Sequence, residues 1–179
     1  DSHGAEDGDL VVIKPKPSRG YGPKRAEVTD VIGKAGDPRA ASLIALHAHG
    51  IPTEFPDSAL RQAREGKPAP AEREDLTQLP LITIDPADAR DHDAAVFAEA
   101  LDDGWRVIVA IADVAAYVTE GSALDREAYR RGNSTYFPDR VVPMLPFELS
   151  ADACSLKENE PRRCLAVEME FDKSGTKRD

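Results

Sequence analysis

The sequence predicts a mixed α+β fold, and three observations carry that expectation. Short β-patterned runs recur near the start, middle and end of the chain, at residues 10–13, 105–114 and 166–172. Capping residues bracket helical segments between them, Asp37-Pro38 to Gly50 and Ser122 to Gly132. The 12 glycines and 14 prolines among 179 residues imply many turns rather than disorder, because 41% hydrophobic and 31% charged residues is ordinary globular usage.

Leu10-Val11-Val12-Ile13 is an apolar run ended by Lys14-Pro15-Lys16-Pro17, and Ala26-Glu27-Val28-Thr29-Asp30-Val31-Ile32 resumes with strand-like alternation. The pair reads as a β-hairpin at the end of a small barrel. Its connecting stretch holds Lys14, Lys16, Arg19, Lys24 and Arg25 around Tyr21, with no acidic residue. Such a loop suits gripping phosphates and stacking a base, and equally suits a plain solvated turn. Asp37 as N-cap, Pro38 in the first turn and Gly50 at C′ predict a helix over 39–49 with Leu43, Ile44 and Leu46 inward. His47 and His49, two apart, point to different helix faces, so surface or half-buried histidines are expected rather than a metal pair. Asp57 and Gly66 bracket a second, shorter helix, and the polar, proline-broken stretch 67–74 marks a domain boundary.

Leu79-Pro80-Leu81-Ile82-Thr83-Ile84 reads as a buried strand. The run 105–114 is apolar at both parities, so both of its faces are expected to be covered. Ser122 supplies a hydroxyl cap with Asp125 three residues on, and Gly132 closes that helix. A loop punctuated by Pro138, Pro143 and Pro146 follows. Residues 166–172 alternate like a half-exposed strand, 172–175 turn it, and the sequence stops where the returning strand is due.

Composition excludes several classes. The longest strictly apolar run, residues 107–112, is far short of the roughly 20 needed to span a bilayer. The start, Asp1-Ser2-His3-Gly4, has neither Met nor a basic-then-apolar signal, and reads as cut from something longer. Cys154 and Cys164 form no CxxC motif, which fits a reducing cytoplasm better than a disulfide framework. A net charge of −10 argues against holding nucleic acid by bulk positive charge.

The acidic segment Asp85-Pro86-Ala87-Asp88-Ala89-Arg90-Asp91-His92-Asp93 directs attention to metal chemistry. Carboxylates this close raise one another's pKa unless a cation neutralises them. Asp91 and Asp93 project to one side of an extended backbone, and Mg²⁺ takes carboxylate oxygens readily. An exposed acidic loop with Arg90 as internal partner is the competing reading. An EF-hand is excluded by the missing glycine and closing acid. Metal ions so held would act as Lewis acid and hydroxide source for phosphodiester hydrolysis, and would reconcile an acidic protein with an RNA partner.

Thr83 to Asp93 in this segment, Gly104-Trp105-Arg106 through Ala112-Asp113-Val114, Leu124-Asp125-Arg126-Glu127-Ala128, Arg131-Gly132-Asn133-Ser134-Thr135-Tyr136-Phe137-Pro138, Val142-Pro143-Met144-Leu145-Pro146 and Cys154-Ser155-Leu156 together closely resemble the catalytic domain of the ribonuclease II family. The resemblance runs from about residue 76 to the end, and more weakly through Gly36-Asp37-Pro38 and His47-Ala48-His49-Gly50-Ile51-Pro52. It implies an α+β arrangement in three parts. Residues 1–32 would be the end of an OB-type cold-shock β-barrel, 33–75 a helical linker, and 76–179 the N-terminal part of an RNB-type catalytic domain.

The implied activity is that of a processive, Mg²⁺-dependent, hydrolytic 3′-to-5′ exoribonuclease that releases nucleoside 5′-monophosphates. The resemblance makes Asp85, Asp91 and Asp93 the catalytic, metal-binding acids, and Tyr136 a residue stacking on the 3′-terminal nucleotides of single-stranded RNA. Read from its surroundings alone, Tyr136 serves equally as a packing residue. Asp113 and Arg131 are expected to be structural. Two departures stand out. Ala94 occupies the position where the family pattern has a fourth aspartate, through a deliberate substitution or in a naturally inactive relative, with the intact surroundings favouring the first. The downstream half of the catalytic domain, with its arginine and channel wall, is also missing, so the chain alone is expected not to degrade RNA. Its partners would be the RNA 3′ end and that missing remainder, with no membrane, as a cytoplasmic monomer. The alternative is a non-catalytic RNA-binding member of the same family.

Overall fold

The fold is a computed structural model that describes residues 2–17, 22–87 and 89–178. The expectations for Arg19, Tyr21 and Asp88 fall outside these residues. Helices and strands are mixed, in two compact units: 1–54 with 135–142, and 55–134 with 143–179.

In the first unit β1 (Asp9–Pro15) pairs antiparallel with β2 (Ala26–Lys34), as the hairpin pattern predicts, with register shifts after Leu10 and Val12. Lys16 pairs with Glu27 at 3.3 Å across the hairpin, so part of the basic loop already has an internal partner. Helix α1 (Ala40–Ala48) starts one residue later than expected. The Asp37 carboxylate accepts the Arg39 N–H at 2.8 Å and closes the turn before the helix, which leaves Arg39 as N-cap without a side-chain cap. Gly50 takes the left-handed conformation that ends the helix (φ +62°). Leu46 is buried, but Ile44 is half exposed against expectation, because it borders an unfilled apolar groove beside Leu10, Val12 and Ile32. His47 and His49 are both exposed. A two-residue pairing of β5 (Thr135–Tyr136) with β6 (Val141–Val142) replaces the expected irregular loop, and the Ser42 hydroxyl donates to Asp139.

The second unit is built on an antiparallel sheet in the order β3-β4-β7, where β3 is Ala94–Leu101, β4 is Gly104–Ala112 and β7 is Cys164–Asp172. Gly104 is required there: a Cβ would lie 1.8 Å from the Phe171 carbonyl oxygen. Along β4, Ile108, Ala110 and Ala112 are buried while Trp105 and Ile111 are exposed. Only one face is covered, then, which corrects the expectation for this strand. By register the open face also carries Ala94, Val96, Leu165 and Val167.

The expected strand 79–84 is reduced to one bridge, Ile82 to Val96, and Ile84 is 80% exposed. Pro80 and Pro86 remove ladder donors on either side, and the bridge places Ile82 at the uncovered face, where nothing in the unit buries it. The covered face meets α2 (Asp57–Glu65) and α3 (Ala123–Arg131) in a core of Ala59, Ala63, Ala112, Leu124, Leu145, Leu149 and Cys154. Helix α3 begins as predicted, with Ser122 Oγ accepting the Asp125 N–H at 3.1 Å, and Gly132 ends it at φ +77°. After β7, Asp172 Oδ1 accepts the N–H groups of Ser174 and Thr176, and Lys177 bridges back to Phe171, so the returning strand has begun. Both cysteines are free thiols. Among the described residues no helix is long and apolar enough to cross a membrane.

Candidate functional site

The acidic loop is tied at both ends to the sheet. Ile82 exchanges backbone hydrogen bonds with Val96, and the Asp93 carbonyl accepts the Ala112 N–H at 2.9 Å. Within the loop, His92 Nδ1 donates to Asp85 Oδ2 at 3.0 Å, the carboxylate being acceptor-only. That hydrogen bond, with a second from Thr83, holds the Asp85 carboxyl below its ordinary value. Asp93 moves the other way. Partial desolvation raises its pKa, and the neighbouring charges of Asp91 and Asp85 raise it further, against a smaller opposing pull from His92.

The motif Cys154-Ser155-Leu156 lies against this loop. Ser155 is fully buried (0% exposed), and its Oγ accepts the His92 N–H at 3.0 Å while donating to the Arg90 carbonyl at 3.2 Å. The Leu156 N–H donates to the His92 carbonyl at 2.9 Å. Arg162 Nε donates to the Ser155 carbonyl at 3.0 Å. A π-helical turn, Leu149–Ala153, delivers the motif from the core, with the Cys154 N–H closing on the Leu149 carbonyl.

Of the three aspartates singled out in the sequence, Asp85 and Asp91 both lie within electrostatic reach of Asp93. Mg²⁺ fits the donor chemistry: hard carboxylate oxygens, one of them, on Asp93, disfavoured as an anion by partial desolvation and then by its neighbours' charge. No three described His, Cys, Asp or Glu side chains converge as a ligand cage, so the fit lies in donor type and charge.

Ala94 opens β3, exposed and opposite Ile111 on the sheet's open face, whereas Asp93 precedes it at the opposite parity. Tyr136 belongs to the other unit, on β5, and is 67% exposed. Asp113 is buried, caps a 3-10 turn by accepting the Ala116 N–H at 3.2 Å and pairs with Arg73 at 2.5 Å. Arg131 bonds Glu127 at 2.8 Å and stacks its guanidinium 3.7 Å from the Phe55 ring centre. Both are occupied with internal structure. Sequence reasoning gave no role to His92 or Ser155. The Cys154-Ser155-Leu156 motif was the signal available, but nothing in the sequence says which loop it meets.

The RNB domain family matches residues 73–179, and the cold shock domain family matches residues 1–56. The chain belongs to the RNB domain family. Within that family it is similar to ribonuclease R: it is 45% identical over 174 residues to the protein of Acidithiobacillus ferrooxidans, covering 94% of this chain and 40% of that relative. Identity to the Vibrio parahaemolyticus ribonuclease R is 47% over 180 residues, covering 96% and 21%. Among solved structures, Mycoplasma genitalium RNase R in complex with double-stranded RNA superposes with a TM-score of 0.88 at 30% identity, covering 98% of this chain and 32% of that one. Yeast Ssd1, a pseudonuclease, shares the fold alone, at a TM-score of 0.69 and 17% identity over 96% of this chain and 23% of its own. The chain therefore spans well under half the length of the relatives it matches.

Proposed function

We propose that this chain is part of a processive, hydrolytic 3′-to-5′ exoribonuclease, acting in the cytoplasm on single-stranded RNA and releasing nucleoside 5′-monophosphates. The observation that carries this reading is the placement of Asp93 beside Asp91 and Asp85, where partial desolvation first, and then those two charges, disfavour its anion, and no salt bridge to it is formed among the described residues. Asp85, Asp91 and Asp93 would hold Mg²⁺. When bound, the ion supplies Lewis-acid activation of the scissile phosphate and a nucleophilic water at neutral pH. The chain's own residues orient the site: His92 fixes the Asp85 carboxylate, and the Ala112 N–H fixes the backbone at Asp93. Tyr136, with its ring exposed, offers a stacking face for an unpaired base near the 3′ end.

The open apolar face of the β3-β4-β7 sheet is where the remainder of the catalytic domain packs. Exposed Trp105, Ile111, Leu165 and Val167, and a match to 40% or less of each relative's length, support that reading. The complete molecule works as a monomer. Ala94 carries a methyl group where the family pattern has an acceptor, so the sequence as it stands is inactive.

Ala94 also favours a second reading, a non-catalytic RNA-binding member of the family. A chimera separates the two. Residues 73–179 replace the matching segment of the Acidithiobacillus ferrooxidans relative, with Ala94 or with Ala94→Asp, and 5′-labelled single-stranded RNA is followed with Mg²⁺. Stepwise shortening from the 3′ end by the Ala94→Asp form alone supports the nuclease. RNA binding without shortening by either form supports the second reading.

A further inference from the structure

We infer that Ser155 is a positioning residue for the metal-binding loop: its buried hydroxyl sets the direction in which Asp91 and Asp93 present their carboxylates. The metal part of this inference rests on the function proposed above. A serine hydroxyl has one donor and two acceptor sites, and Ser155 uses it both ways, on the backbone groups that flank Asp91: the carbonyl of Arg90 and the N–H of His92. The Leu156 N–H takes the His92 carbonyl, so both backbone groups of His92 are held from one side by residues 155–156. Residues 90–92 have no regular secondary structure, and these three bonds stand in for a strand ladder. Beyond them, Arg162 holds the Ser155 carbonyl, and Cys154, the preceding residue, is buried in the hydrophobic core. A continuous chain of contacts thus runs from the core to the acidic loop.

The chemistry of the position is narrow. Alanine takes away the partner of the part-buried His92 amide and Arg90 carbonyl, and threonine adds a methyl group where Ser155 has no exposed surface. A residue that only packed would not need to be bonded on both sides of a proposed ligand. Loss of groups that orient metal ligands typically costs about 10–100-fold in metal affinity.

The test uses the full 179-residue chain as wild type, Ser155→Ala and Ala63→Gly, the last being a core change on α2 that lowers stability without touching the loop. Hydrogen exchange at the His92 amide is measured by NMR, and Mn²⁺ affinity by water-proton relaxation. Ser155→Ala is expected to speed His92 exchange about tenfold or more relative to the sheet amide of Ala110 and to weaken Mn²⁺ binding about tenfold or more. Ala63→Gly is expected to do neither. Unchanged His92 exchange, or Mn²⁺ affinity within about twofold of wild type, overturns the inference. Should Ser155→Ala not fold, Ser155→Cys, which keeps a weak donor, is read by the same two measurements and must give intermediate values. If the wild-type chain binds no Mn²⁺, the proposed function fails in its own arm, and the His92 exchange still decides whether Ser155 holds the loop.

Discussion

His92 and Asp85, seven positions apart, close the acidic loop on itself through the Nδ1 to Oδ2 contact at 3.0 Å. The bond makes Asp85 a fixed anion rather than a mobile one and turns the loop's only histidine into a support for a carboxylate.

His92→Ala is expected to return the Asp85 carboxyl toward 3.8 and to weaken Mn²⁺ binding roughly tenfold. The sign of the stability effect follows from the lowered pKa. The bond contributes stability above pH 3.8, which disappears as pH falls through the lower folded-state value. Wild type and variant therefore differ at pH 6 and converge in strong acid. A carboxyl-carbon NMR titration of Asp85 checks the shift, and urea melts across that range check the convergence.

Asp93 carries the opposite sign. Its raised pKa means the folded chain favours the protonated acid, so stability falls as pH rises from 3.8 through the folded value and stays lower above it. Asp93→Asn should remove that cost, stabilising the metal-free chain at pH 7 by less than about 1 kcal/mol because the group is solvent-accessible. The same change should abolish Mn²⁺ binding. Thermal melts beside metal titrations measure both effects.

Cys154 gives a third titration. Burial first, then the charges of Asp113 and Asp93, push its thiol from 9.0 to about 11. Its protonated form is favoured in the fold, so stability is lost as pH rises from 9 through about 11, by up to roughly 2–3 kcal/mol. Cys154→Ala should flatten that part of the urea-midpoint profile. At pH 8 a thiol reagent should modify Cys164, which is only half-buried, well before Cys154.

Glu127 and Arg131 are both buried, and their side chains meet at 2.8 Å. Glu127→Ala removes the buried carboxylate that Arg130 and Arg131 share and should cost about 3 kcal/mol in a urea melt. Ala94→Asp, at an exposed position, should stay within about 0.5 kcal/mol of wild type, so any gain of activity is not a folding effect.

Local chemistry made much of this legible in the sequence. Ser122, Gly132 and Gly50 announced their helix ends because a cap is a contact within one turn. The hairpin and β7 followed from alternation. The strand expected at 79–84 and the two covered faces of β4 did not, since apolar pattern reports what a residue could bury and not what the chain supplies to cover it. Asp85, Asp91 and Asp93 were legible as a crowded set. Ser155 was not, because its partners Arg90 and His92 lie more than sixty positions away and a buried serine has no signature of its own.

The claim that the three aspartates seat a divalent ion is tested most directly by titrating Mn²⁺ into the chain and reading paramagnetic broadening residue by residue. Amide signals at Asp85, Asp91, His92 and Asp93 are expected to broaden first, Mg²⁺ to reverse the effect, and Asp93→Asn to remove it. Broadening spread evenly over the surface carboxylates, or unchanged in Asp93→Asn, would contradict it.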